Sequence, residues 1–99
     1  MIDPNADWPG PTFAEFREIL LKRPNIRIEP PPKNNIYRGQ RQITVFVRTA
    51  DNGQEFDWIA FHNDDELLSR GMVLNACRNL HTMPEVLDIV HNLRRPPTP

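Results

Sequence analysis

The apolar positions of this chain change period several times, and each change marks an element. Phe13, Phe16 and Leu20 recur at helical spacing with Ile19 beside them, which is the stripe of an amphipathic helix. Thr12 and Glu15 form a capping box in which hydroxyl and carboxylate each satisfy a backbone N–H. Lys22-Arg23-Pro24 places cations on the last turn, ahead of a residue that stops the helix.

Ile26-Arg27-Ile28 alternates as a short strand, and Pro30-Pro31-Pro32 ends it, because three consecutive residues there lack a donor and have a fixed φ. Lys33 to Gln40 is polar and reads as an exposed loop with a short extended piece at Ile36-Tyr37. Ile43 to Thr49 and Gln54 to Phe61 are β-rich runs separated by Asn52-Gly53, the pair that best tolerates a two-residue type I′ hairpin turn. That turn would set Arg48 opposite Asp57, Val47 opposite Trp58 and Phe46 opposite Ile59. One face would then carry Ile43, Val45, Val47, Phe56, Trp58 and Ala60, and the other Phe46, Ile59 and Phe61. Three large residues on the second face call for a covering helix or a partner.

Asn63 and Glu66 repeat the capping-box spacing, with Asp64 and Asp65 between them suiting a helix N-terminus. The helix expected from there carries Leu67, Leu68, Met72, Val73, Leu74, Ala76, Cys77 and Leu80 around most of its circumference, which makes it central. Thr82 and Glu85, with Pro84 in the first turn, start a third helix bearing Val86, Leu87, Ile89, Val90 and Leu93, ending at Arg94-Arg95-Pro96-Pro97. The architecture expected is α+β: a three-stranded, mainly antiparallel sheet with one N-terminal helix and a C-terminal helix pair, in the order α-β-β-β-α-α.

Length and proline content set the boundaries. A chain of 99 residues supports one core. Residues 1–11, with Pro4, Pro9, Gly10 and Pro11, read as a flexible arm; 12–95 form the domain; and 96–99 are a disordered proline-rich tail. No apolar run approaches the roughly 20 residues that cross a bilayer, and Met1-Ile2-Asp3-Pro4 has no signal-like region. Cys77 is the sole cysteine, so an intramolecular disulfide is excluded. The expected setting is the cytoplasm, without membrane contact.

Charge adds a zoning pattern to a net charge of −1. Residues 24–49 carry Arg27, Lys33, Arg38, Arg41 and Arg48 against Glu29, whereas residues 50–69 carry Asp51, Glu55, Asp57, Asp64, Asp65 and Glu66 without a cation.

Catalytic and metal-binding patterns are not found. The carboxylates of Asp64, Asp65 and Glu66 lack the converging loop that a hard cation requires. Cys77 and His81 share a helix face, but two ligands do not make a zinc site, and His62 and His91 lack paired spacing. Ser69 stands in no glycine-rich elbow, and Cys77 is placed to be buried and inert. Gly10, Gly39, Gly53 and Gly71 are scattered, so no phosphate-cradling loop is present. The chain is read as a non-enzyme with no metal and no cofactor.

Two binding classes remain. For nucleic acid, the candidate residues are Lys33, Tyr37, Arg38 and Arg41 in the basic loop 33–41, which also holds Asn34, Asn35 and Gln40. The element order helix, strands, helix is similar to that of a double-stranded-RNA-binding domain. Such a domain sets lysines at the start of its last helix, where this chain has Asp64, Asp65 and Glu66, groups that repel phosphate, so the family is not assigned. The leading expectation is a small protein-binding module, an adaptor, inhibitor or complex subunit. Its partner, another protein or a second copy, would be bound through Phe46, Ile59 and Phe61.

Overall fold

The computed structural model describes residues 8–30, 37, 38 and 41–94, with the side chains of Tyr37, Arg38 and Arg41 outside the description. Its elements are α1 (Phe13–Leu21), β1 (Ile26–Glu29), β2 (Tyr37–Arg38), β3 (Arg41–Thr49), β4 (Glu55–Phe61), α2 (Arg70–Leu80) and α3 (Glu85–His91). The α-β-β-β-α-α order holds for the longer elements, and the two-residue β2 is added to the start of β3. The strands β1, β3 and β4 form an antiparallel sheet with β3 in the centre. Tyr37 and Arg38 pair with Gln42 and Arg41, also antiparallel.

The capping box of α1 is present. Glu15 N–H donates to Thr12 Oγ1 at 3.1 Å, and Thr12 N–H donates to Glu15 Oε1 at 3.0 Å. The next two donors of the first turn are satisfied from a distant part of the chain: Phe13 N–H donates to the Glu66 carbonyl at 2.8 Å and Ala14 N–H to the Asp64 carbonyl at 3.1 Å. Leu68 N–H completes the join by donating to the Pro11 carbonyl at 2.8 Å. A helix start leaves its first N–H groups without intrahelical partners, and here residues 64–68 supply the acceptors.

That contact corrects the expected start of the second helix. Residues 63–66 form a turn, closed by Glu66 N–H donating to the Asn63 carbonyl at 3.1 Å, and residues 66–68 run against the start of α1, so Asn63 and Glu66 do not cap a helix. Instead α2 begins after Ser69, whose Oγ accepts from Met72 N–H at 3.2 Å. Leu67, expected in the central helix, is 69% exposed, while Leu68 beside it is buried. The third helix is shorter than expected as well. It starts after Pro84 with no side-chain cap, because Thr82 is buried and its hydroxyl approaches the Cys77 carbonyl at 3.5 Å.

The hairpin register is also corrected. Arg48 stands opposite Phe56, not Asp57; Val47 is opposite Asp57; and Phe46 is opposite Trp58, not Ile59. The turn explains the change. Ala50 O accepts from Gly53 N–H at 2.9 Å, and Ala50 N–H donates to Gln54 O at 2.8 Å. Gly53 has φ 87°, while Asp51 and Asn52 are not among the positive-φ residues. A type I′ turn needs positive φ at both central residues; this loop is the three-residue alternative, with glycine in the left-handed position of a bulge. The extra loop residue moves the pairing by one and turns β4 over relative to β3.

The observed register gathers the largest rings on one side. Phe46 and Trp58 stack with centroids 5.5 Å apart, and Phe13 and Phe16 of α1 meet them edge-on at 6.1 and 5.8 Å. Val73, Ala76, Cys77 and Leu80 of α2 and Val86, Leu87 and Val90 of α3 complete this single core. Cys77 is fully buried, as its place in the apolar arc predicts. Of the expected arm, residues 8–11 have no regular structure but are held: Trp8 Nε1–H donates to the Leu68 carbonyl at 2.8 Å, and Pro11 is buried.

Candidate functional site

All three helices contribute to the core on the Phe46 and Trp58 side of the sheet. Because paired residues in an antiparallel ladder share a face, the opposite side carries Ile43 with Phe61, Val45 with Ile59, Val47 with Asp57 and Thr49 with Glu55. Strand β1 adds Arg27 beside Val47 and Glu29 beside Val45. No described helix packs against this outer face.

The outer face has two unlike halves. Near the hairpin tip, Arg27 reaches across β3. It donates to Glu55 Oε2 at 2.7 Å and to Thr49 Oγ1 at 2.8 Å, while its Nε–H donates to Glu29 Oε1 at 3.0 Å. The guanidinium holds the Glu55 carboxyl below its usual range, through the hydrogen bond first and charge attraction second, and the two carboxylates raise the Arg27 value in turn. Val47 lies beside this array and is buried. Toward the other end, Ile59 is 47% exposed in the middle of its strand. Ile43, Val45 and Phe61 around it are half-buried. The result is an apolar patch bordered by Asp57 and by the Arg27 network.

This arrangement separates the residues expected to bind a partner. Ile59 and Phe61 do share the outer face. Phe46 does not: it is fully buried on the helix side against Trp58, because the three-residue loop reverses the relation between the strands. Val45 and Ile43 take its place beside Ile59. The alternation within each strand already separated the two sets, but assigning them to a common face required the register. Of the basic-loop candidates, Lys33 and the side chains of Tyr37, Arg38 and Arg41 lie outside the described residues; the ladder sets Arg38 opposite Arg41 along the backbone.

The acidic cluster has structural work. Asp64 accepts two hydrogen bonds from Arg17, at 2.6 and 3.2 Å, which lower its carboxyl below the usual range. Glu66 lies 3.0 Å from His62 Nδ1. Among the described residues, no three His, Cys, Asp or Glu side chains converge as a metal site requires. Burial raises the Cys77 thiol above its ordinary range, outweighing the hydrogen bond with Thr82. No described helix is long and apolar enough to cross a membrane. Compared with protein-family models, curated proteins and solved structures, the chain matches none.

Proposed function

We propose that this chain is a small protein-binding module that docks its partner on the outer face of the sheet, with Ile59 at the centre of contact and Val45 and Ile43 beside it. The observation that supports this reading is the exposure of Ile59, 47%, on a strand whose opposite face is closed by helices. Covering a large aliphatic side chain contributes about 1.5–3 kcal/mol, and an apolar centre with a polar border is the usual anatomy of an interface. The border here is mainly acidic, with Glu29, Glu55 and Asp57 around Arg27. The partner that suits it is another protein presenting an apolar patch framed by Lys or Arg. A reducing compartment suits the single buried thiol of Cys77.

The test compares wild-type protein with Ile59→Asp, immobilised and exposed to extract from the native host. A circular-dichroism melt first establishes that the variant is folded. A protein retained by the wild type and lost from Ile59→Asp supports the reading. Identical recovery on both surfaces refutes it. Sedimentation of the wild type distinguishes a second copy of the chain from a different partner.

A further inference from the structure

Away from the outer face, a polar cavity of about 190 Å³ opens where the end of α1, the start of β1 and the α2–α3 connection meet. Arg23, Asn25, Arg48, His81, Thr82 and Glu85 are among the residues that line it. They come from three separate stretches of chain, residues 23–26, residue 48 and residues 81–85. The corrected register places Arg48 here: it projects on the helix side, opposite Ile26 and Phe56. The His81 ring is stacked on Phe56 with centroids 3.9 Å apart, which fixes it at the cavity wall.

Two features set this cavity apart. First, Arg17, Arg27 and Arg94 are each paired with carboxylates, whereas Arg23, Arg48 and Arg70 are half-buried with no ion-pair partner among the described residues, and Arg23 and Arg48 line this one cavity together. Two guanidinium groups facing one concave space repel each other unless an anion lies between them. Second, the positive-φ non-glycine residues among those described are Asn25, φ 69°, and His81, φ 55°, and both line this cavity. Backbone in this region is disfavoured for residues with a side chain, although Asn and His tolerate it best; His81 adopts it as the C-cap of α2, which turns the chain into the cavity wall.

We infer that this cavity binds a tetrahedral oxyanion, a phosphoryl group held by Arg23 and Arg48 with Asn25, His81 and Thr82 at its edge. Guanidinium offers paired N–H donors that match phosphate oxygens. Glu85 is the opposing charge in the lining. It limits the affinity and favours an anion that can accept hydrogen bonds from both arginines over a simple halide. The phosphoryl group has two sources, free inorganic phosphate and a phosphorylated serine side chain, and both offer the same oxygens.

The test is a titration of the full chain followed by amide chemical shifts, with inorganic phosphate in one arm, N-acetyl-phosphoserine amide in a second and sodium chloride of matched ionic strength in a third. Saturable shifts confined to the amides of Asn25, Ile26, Arg48, His81 and Thr82 are expected in one or both phosphoryl arms and not with chloride. Tighter binding of the phosphoserine compound assigns the site to a modified side chain; equal or weaker binding assigns it to the free anion. Arg48→Gln and Arg23→Gln each weaken binding on the order of tenfold, the effect of losing one charge-assisted hydrogen bond. Glu85→Gln strengthens it. No saturable shift at tens of millimolar, shifts equal to those in chloride, or binding unchanged in the Arg23→Gln/Arg48→Gln double variant overturns the inference. The Glu85→Gln arm guards against loss by misfolding, since it predicts a gain.

Discussion

Phe46 and Trp58 stack across the β3–β4 ladder with 18° between their planes, and α1 closes over both with Phe13 and Phe16. The two faces of the hairpin therefore differ in energetic role, and substitutions on them separate. Phe46→Ala is expected to destabilise the fold by about 3–5 kcal/mol, the range for emptying a buried aromatic site. Ile59→Ala, at a 47% exposed site, is expected to cost well under half of that. Urea denaturation of both variants against the wild type checks the contrast, and equal losses would place Ile59 in the core after all.

The turn offers a test of the register. Gly53 has φ 87° and nothing lies within 4 Å of where a Cβ would stand, so Gly53→Ala probes backbone strain alone. A cost of about 1–2 kcal/mol is expected from forcing an L-residue into the left-handed region. Asn52→Ala removes the bond from Gln54 N–H to Asn52 Oδ1 at 3.0 Å and is expected to cost less, about 0.5–1.5 kcal/mol. A two-residue type I′ turn would make both substitutions comparably severe, because Asn52 would then need positive φ too.

Acid should weaken the fold through identifiable pairs. The Glu15 carboxyl is held below its ordinary value of 4.5 first by the hydrogen bond from Arg94 and then by Thr12 N–H. Asp64 is held below 3.8 by Arg17. A carboxylate whose value is lower in the folded state contributes stability above its unfolded value and loses it as pH falls through the folded one. The urea midpoint of the wild type is therefore expected to decline as pH drops below about 4.5. Arg94→Gln should be less stable near neutrality and decline less steeply in acid. A parallel decline in both proteins would remove Glu15 from the cause.

Cys77 sets the alkaline side. Burial raises its thiol above the ordinary value of 9.0, so the unfolded chain ionises first and stability is lost as pH rises beyond that value. Native protein should react with a thiol reagent only as fast as it opens, with the rate rising steeply in urea. Prompt labelling in buffer would show a thiol within reach of solvent.

What could be read before the structure, and what could not, divides by range. The Thr12 and Glu15 capping box is a contact within one turn, and its residues suffice to specify it. Asn52-Gly53 located the hairpin but not its register, because glycine suits both the second position of a type I′ turn and the bulge position of a longer loop. Asn63 and Glu66 carry the same capping spacing as Thr12 and Glu15. There the demand of Phe13 and Ala14 for acceptors prevails, a tertiary effect that local pattern does not contain. The meeting of Arg23, Arg48 and His81 depends on that same long-range assembly and on the register of β3, so no spacing along the chain announces it.

The join between residues 11–14 and 64–68 has a consequence for how the chain comes apart. Phe13 and Ala14 N–H donate to the Glu66 and Asp64 carbonyls and Leu68 N–H donates to the Pro11 carbonyl, which closes a loop that contains the entire sheet. Such a loop is closed at an entropic cost after the hairpin, whose partners are close in sequence, has formed. Exchange of the Phe13, Ala14 and Leu68 amides with deuterium should therefore proceed together and ahead of the amides of central β3. The join would then open as one cooperative unit while the hairpin inside it remains paired.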